Sequence, residues 1–306
     1  MRVLLTGATG FLGSHIAESL LDRGYKLLLS KRDSSDLWRC ISFKEKVSWI
    51  NNDSVTFEKE VLDFKPEVII NGAWDGVAAA NRDIWTVQVE NLLQQQRLLD
   101  LAAKIGVQKF IGIGSQAEYG KFDGKIDETF PTSPNSAYGA VKLAAYNILR
   151  TFCEEHKIVW YWFRLFSCFG EREAENWLIP ATIKNMLTKN NMDLTLGEQQ
   201  YSYLYVKDVA NLITCAVDST AKEGVYHIAS DQLRSLKEIL LEIKNNLNPD
   251  FNLNFGAFPY RENQSMVNGS INIKTQGAFG KFETSDFNKK IIQTIDYYKK
   301  YFNNER

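Results

Sequence analysis

Cysteine is scarce in this chain, and what there is lies scattered. Cys40, Cys153, Cys168 and Cys215 show no Cys-x-x-Cys spacing, which argues against a disulfide framework or a structural zinc site and leaves reduced, mostly buried thiols. The three histidines, His15, His156 and His227, form no metal-ligand cluster in the sequence. Charge of either sign is missing as an excess: 36 Lys and Arg stand against 37 Asp and Glu, so there is no bulk attraction to nucleic acid or anionic lipid. Long hydrophobic runs are absent too. The most apolar stretch, 158–169, is interrupted by Arg164 and is too short to span a bilayer. No basic segment with a longer apolar run precedes the first strand, and the chain reads as cytoplasmic. Internal repeats and low-complexity tracts are not seen.

What is present suits one large α/β domain, or a nucleotide-binding domain with a smaller lobe, in 306 residues. Short apolar runs at 3–5, 26–29, 47–50, 68–70, 110–113 and 159–163 read as buried strands. Amphipathic stretches at 11–22, 57–64, 84–105 and 138–156 lie between most of them. This alternation predicts a Rossmann-type, doubly wound parallel sheet, with ligands at the carboxyl edge of its strands. Beyond Gly170 the pattern loosens into a helix near 179–187, a strand-like 201–206, a strand at 225–229, a helix at 235–247 and a last helix near 286–302. We expect residues 1–168, with 201–230 returning to the sheet, to form the dinucleotide domain, and 169–200 with 231–306 to form a small substrate-binding lobe.

Gly7, Gly10 and Gly13 sit directly after the first strand, in Thr6-Gly7-Ala8-Thr9-Gly10-Phe11-Leu12-Gly13, and open the first helix. Such a turn lets backbone approach a pyrophosphate and leaves helix N–H groups free for the anion. The alternative, a plain glycine-rich turn, is disfavoured by the strand–turn–helix context. At the end of the second strand an NAD site usually places an acid for the ribose hydroxyls. Here Ser30-Lys31-Arg32 stands there, two cations suited to a 2′-phosphate, so NADP(H) is expected over NAD(H); a solvated charge pair is the plain alternative.

Tyr138 and Lys142 are four residues apart, hence on one helix face. A neighbouring ammonium is expected to lower the phenol's pKa so that it exchanges a proton near neutrality. Ser115, just past a strand at the sheet's active edge, is placed to hold a substrate oxygen against Tyr138.

These features, taken in order along the chain, resemble the extended short-chain dehydrogenase/reductases, the NAD(P)-dependent epimerase/dehydratase family acting on nucleotide sugars. The glycine turn, Asn71-Gly72-Ala73-Trp74, Asn91, Ser115 before Tyr119-Gly120, the Tyr138/Lys142 pair, Arg164 to Gly170 and Tyr201 to Asp208 carry the likeness. The resemblance implies catalysis by Ser115, Tyr138 and Lys142. It implies cofactor contacts from Thr6, Gly7, Thr9, Gly10, Phe11, Leu12, Gly13, Lys31, Arg32, Gly72, Ala73, Trp74 and Asn91 as well as Tyr138 and Lys142. Substrate contacts fall to Gln116, Trp177, Tyr201 and Arg261, and relatives pair the helices at 84–105 and 138–156 into a homodimer. Trp74, Trp177 and Tyr201 also fit plain packing roles, and Glu118 reads as a solvated loop carboxylate in preference to an acid/base beside Ser115.

Departures from the family narrow the chemistry. Its sugar 4,6-dehydratases place Asp-Glu directly after the catalytic hydroxyl, where this chain has Gln116 and Ala117. The members that make GDP-fucose use a Cys and a His that have no counterpart here. Segments 196–200 and 258–261 look like the 4-ketoreductases that finish deoxysugar nucleotides. The sequence therefore points to NADPH-dependent reduction of a nucleotide-activated keto-deoxysugar; alternatives are a nucleotide-sugar 4-epimerase and, in a different class, a non-catalytic NADP-binding regulator.

Overall fold

The structure, a computed structural model, describes residues 1–78, 80–189, 191–261, 264–283 and 286–304. Fifteen strands and nine helices are seen among them. The strands are β1 (Arg2–Thr6), β2 (Lys26–Lys31), β3 (Ser48–Asn51), β4 (Val68–Asn71), β5 (Lys109–Ser115), β6 (Gly124–Ile126), β7 (Val159–Leu165), β8 (Ser167–Phe169), β9 (Asn191–Leu194), β10 (Gln200–Tyr201), β11 (Tyr203–Tyr205), β12 (Gly224–Ile228), β13 (Arg234–Ser235), β14 (Asn252–Phe255) and β15 (Val267–Ser270). The helices are α1 (Phe11–Asp22), α2 (Phe57–Phe64), α3 (Trp85–Ile105), α4 (Ala137–His156), α5 (Leu178–Thr188), α6 (Val206–Asp218), α7 (Leu236–Leu247), α8 (Ile273–Phe279) and α9 (Phe287–Asn304).

Apolar residues fill consecutive positions of the central strands because both sheet faces are covered. Val3, Leu5, Leu27, Leu29, Val68, Ile70, Tyr161 and Phe163 pack on one side with α1 and α6. Leu4, Leu28, Ile69, Phe110, Trp160 and Trp162 face the other way, onto α2, α3 and α4. The seven strands run in the order β3-β2-β1-β4-β5-β7-β12, all neighbours parallel. Strand order reverses between β1 and β4, and that switch opens a crevice at the carboxyl edge.

A second core joins α5, α7 and α9 around Ile183, Ile239, Ile243, Ile295 and Tyr298. Beside it, β13-β10-β15-β6 form a small sheet and β14 pairs with β9. The single strand expected over 201–206 is two short ones in different sheets: Tyr201 belongs to β10, while β11 pairs with β8 and leads at once into α6. Leu212, Ile213, Ala216 and Val217 on α6 supply part of the main core, so the break at Ser202 lets one stretch serve both regions.

Candidate active site

The turn after β1 is built for close approach. Gly7 has φ +74°, a conformation that favours glycine, and a Cβ there would strike the Gly72 carbonyl carbon and the Ala73 nitrogen. A Cβ on Gly13 would run into the Gly7 carbonyl oxygen. Gly10 caps α1 with no side-chain hydrogen bond, so Thr9, Phe11 and Leu12 surround a helix N-terminus whose amides remain available to an anion. Thr6 ties this turn to the next loop: its hydroxyl donates to Asn71 Oδ1 (2.9 Å) and accepts from the Ala73 amide (3.1 Å). The cradle fits a dinucleotide pyrophosphate.

At the end of β2, Arg32 meets Asp75 of the β4–α3 loop at 2.8 Å, both half exposed. Lys31 ends the strand beside it. Asn91 is buried, and its amide is spent on the backbone: it accepts from the Asp75 amide (2.7 Å) and donates to the Val87 and Gln88 carbonyls (3.0 Å each). It shapes the loop from behind. Gln88 does the same work, accepting from Trp74 Nε1 (3.0 Å) and donating to the Gly76 and Asn81 carbonyls (2.9 and 3.1 Å).

Ser115, Tyr138 and Lys142 converge under Trp74, all three buried. The Ser115 hydroxyl accepts from the Ala117 amide at 3.2 Å and lies within reach of the Tyr138 hydroxyl. Tyr138 packs edge-on to Trp74 with ring centres 6.3 Å apart. Lys142 Nζ donates to the Ile113 carbonyl (2.7 Å) and sits 3.5 Å from the centre of the Trp74 ring. Burial draws the Lys142 pKa down to about 7, with Glu118 opposing. The Tyr138 hydroxyl is not acidified as expected: burial pushes its pKa up, against the pull of Arg82 and Ser115. In this pocket desolvation outweighs the pull of the neighbouring charge.

Glu118 corrects the sequence reading. It is fully buried, not a solvated loop residue. Its carboxylate accepts from the Ser115 amide (2.8 Å), Trp162 Nε1 (3.0 Å) and Arg164 Nε (2.7 Å). Gly114 leaves room for that indole, since a Cβ there would enter the Trp162 ring. Arg164 Nη1 continues to the Tyr119 hydroxyl (2.6 Å), which bonds His227 Nε2 (2.5 Å), whose Nδ1 meets Ser270 of β15 (2.8 Å). Burial and Arg164 take the His227 pKa down to about 3, so the ring is neutral and structural.

On the lobe side, Gln116 accepts from Asn268 of β15 at 3.1 Å, and Asn268 is in register with Tyr201 of β10. Tyr201 donates to the Ser265 carbonyl (3.1 Å), and burial pushes the pKa of its hydroxyl up, with Gln264 and then Arg261 opposing. Gln116, Tyr201 and Arg261 thus gather at one edge of the lobe. Trp177 stands at the N-terminus of α5, 40% exposed. Sequence reasoning missed Arg82, whose guanidinium carbon lies 4.6 Å from the Tyr138 ring centre and whose carbonyl accepts from the Tyr138 amide (3.0 Å). Nothing in the sequence around Arg82 marks it. Among the described residues no group of His, Cys, Asp and Glu is arranged to hold a metal, and no helix is long and apolar enough to cross a membrane.

Strand order, glycine cradle and a buried Ser–Tyr–Lys group define an oxidoreductase-type enzyme on a Rossmann fold. The NAD dependent epimerase/dehydratase family model matches residues 3–229, and the chain belongs to that family, the extended type of short-chain dehydrogenase/reductase. It is 26% identical over 271 residues to CDP-abequose synthase of Salmonella muenchen, covering 87% of each chain. With dTDP-6-deoxy-L-talose 4-dehydrogenase (NAD(+)) of Aggregatibacter actinomycetemcomitans it shares 24% identity over 274 residues, 87% of this chain and 98% of that one. The fold matches UDP-N-acetylglucosamine 4-epimerase from Methanobrevibacter ruminantium M1, solved in complex with UDP-N-acetylmuramic acid, with TM-score 0.88 and 21% identity, covering 98% of both chains. The chain is an enzyme of the nucleotide-sugar epimerase, dehydratase and reductase group.

Proposed function

We propose that the protein is an NADPH-dependent reductase of a nucleotide-activated 4-keto-deoxysugar. The observation that carries this reading is the Lys31–Arg32 pair at the end of β2, where an NAD site usually places an acid, together with the buried Ser115–Tyr138 pair. Elimination of water needs an acid and a base, yet Gln116 and Ala117 supply neither and Glu118 is committed to Trp162 and Arg164. Identity to a synthase of a CDP-deoxysugar and to a 4-dehydrogenase supports the same class.

On this reading residues 1–168 and 201–230 chiefly hold the cofactor, with Gln116 and Tyr201 among them turned to the sugar, and the remaining segments complete the sugar-nucleotide site. Gly7, Gly10, Gly13 and the α1 N-terminus take the pyrophosphate, Lys31 and Arg32 the 2′-phosphate, and Gly72, Ala73 and Trp74 wall the nicotinamide side. When bound, the reduced cofactor supplies the hydride. Tyr138 gives its proton to the oxygen that becomes the new hydroxyl, Ser115 orients that oxygen, and Gln116, Tyr201 and Arg261 face the sugar and its diphosphate. We place the enzyme in the cytoplasm, where these cofactors and substrates occur.

Incubation with nucleotide 4-keto-6-deoxysugars tests the reading. Stoichiometric loss of NADPH absorbance is expected, with NADH the poorer donor. Lys31→Asp with Arg32→Asn should reverse the donor preference. Isomerisation of a sugar nucleotide without net cofactor loss would establish the 4-epimerase alternative instead.

The reading extends to a homodimer. Trp85, Val89 and Leu93 form one stripe along α3 and are 60%, 46% and 72% exposed, beside the neighbouring α4. Light scattering should give twice the chain mass for the native protein and one chain mass for Leu93→Arg. A native protein that is already monomeric at micromolar concentration would remove this part.

A further inference from the structure

Strand β15 brings Asn268 from the lobe to the loop that follows Ser115. The strand is held along its length. Asp123 accepts from the Met266 and Val267 amides (2.5 and 3.0 Å), the Asn268 carbonyl accepts from the Ser202 amide (3.1 Å), and Ser270 meets His227 (2.8 Å). The Asn268 side chain donates from Nδ2 to Gln116 Oε1 at 3.1 Å. Both residues are half-buried, and neither side-chain amide has another hydrogen-bond partner among the described residues. An amide side chain carries an acceptor oxygen and a donor NH₂ group. With one bond shared between them, the pair keeps the Gln116 NH₂ as a donor and the Asn268 oxygen as an acceptor. Turning both amides over exchanges these roles and still leaves a free donor and a free acceptor. The Tyr201 hydroxyl, in register beside them, is already spent: it donates to the Ser265 carbonyl and accepts from Gln264 Nε2 (3.1 Å each).

We infer that the Gln116–Asn268 amide pair is a specificity-determining site that reads the hydroxyl on the sugar carbon next to the reacting carbonyl. This rests on the reading of the crevice as the site of a nucleotide-activated 4-keto-6-deoxysugar whose carbonyl oxygen meets Ser115. Gln116 follows Ser115 directly, so the pair borders the ring position beside that carbonyl rather than the diphosphate. Of the two carbons that flank a 4-keto group, C5 carries the ring oxygen and the methyl group, and C3 carries a hydroxyl. A hydroxyl is donor and acceptor at once, which matches a site that offers one of each. A sugar without it covers the pair and leaves both amides unpaired, and a polar group left unmade costs more than a made bond returns. The substrate class narrows to 6-deoxysugars that keep the C3 hydroxyl, with 3,6-dideoxysugars disfavoured.

The test measures binding without added cofactor, so that nothing turns over. Calorimetry with CDP, dTDP, GDP and UDP selects the base, and the 6-deoxyhexose and 3,6-dideoxyhexose of that nucleotide, alike in every other position, are then compared. The native protein should bind the 6-deoxyhexose about tenfold more tightly or better, the size of two net hydrogen bonds. Asn268→Leu and Gln116→Met should each shrink that preference by about threefold or more, weakening the hydroxylated sugar and leaving the other nearly unchanged. A pair that only bolts the lobe to the Ser115 loop would weaken both sugars alike and leave their ratio where it was. The inference is overturned by native affinities within about twofold of each other, by an unchanged ratio in the variants, or by no binding of either sugar nucleotide. Should Asn268→Leu fail to fold, Asn268→Asp, which keeps the shape and removes the amide donor, must lower the ratio instead. Equal affinities sink this inference alone, while the NADPH assay decides the reductase reading.

Discussion

Tyr138→Phe is expected to lower turnover by about 10²- to 10⁴-fold, the contribution of a positioned proton donor, while cofactor affinity stays within about threefold because the ring contacts survive. The phenyl ring keeps its edge-on contact with Trp74 and its place under Arg82. The fold should hold, since one buried hydroxyl is removed and no cavity larger than an oxygen is left. Steady-state rates with NADPH, together with cofactor binding followed by tryptophan fluorescence, separate the two effects. Turnover within about tenfold of the native enzyme would place the proton donor elsewhere, because removing a true general acid costs more than that.

Glu118→Gln should be strongly destabilising for so conservative a change. The ion pair with Arg164 is almost wholly desolvated, with side-chain exposures of 0% and 3%. Removing one partner strands the other charge, which costs about 3 kcal/mol or more. Against a net stability of roughly 5–15 kcal/mol that is a large share. The melting temperature should fall by about 4–5 °C or more, at about 1.5 °C per kcal/mol for a chain of this size. Replacing both partners, Glu118→Gln with Arg164→Met, should cost less than the sum of the two single changes. A shift of less than about 1 °C in the single variant would mean that solvent reaches this pair and that Ser115 is anchored by other means.

How much of this was open to reading from the chain alone divides along one line. Local signals were legible. The glycine turn, and the apolar spacing that sets α1 and α2, predict helices at 11–22 and 57–64, which the structure shows at those limits. Ser115-x-x-Glu118 is also a local signal, a capping box over Gln116–Tyr119. What spacing does not reveal is that Trp162 and Arg164 arrive from β7 to bury that carboxylate. Arg82 is invisible for the same reason: its meaning comes from a ring 56 positions later, reached through a loop. The lobe was hardest to read. Its strands are two to four residues long, and β6 finds its partner β15 across more than a hundred residues, so neither period nor length marks them.

The loop between β4 and α3 touches three things at once. Its first glycine abuts Gly7 of the cofactor turn, Asp75 holds Arg32, and Arg82 lies on Tyr138. A ligand phosphate that takes Arg32 from Asp75 acts on a segment whose far end bears on the proton donor. Thermodynamic reciprocity sets the terms: if such a ligand changes the proton affinity of Tyr138 through this loop, protonation of Tyr138 changes the ligand's affinity by the same factor. A phenol titration with and without a bound phosphate ligand at Arg32 therefore measures how far this one loop joins the two ends of the crevice.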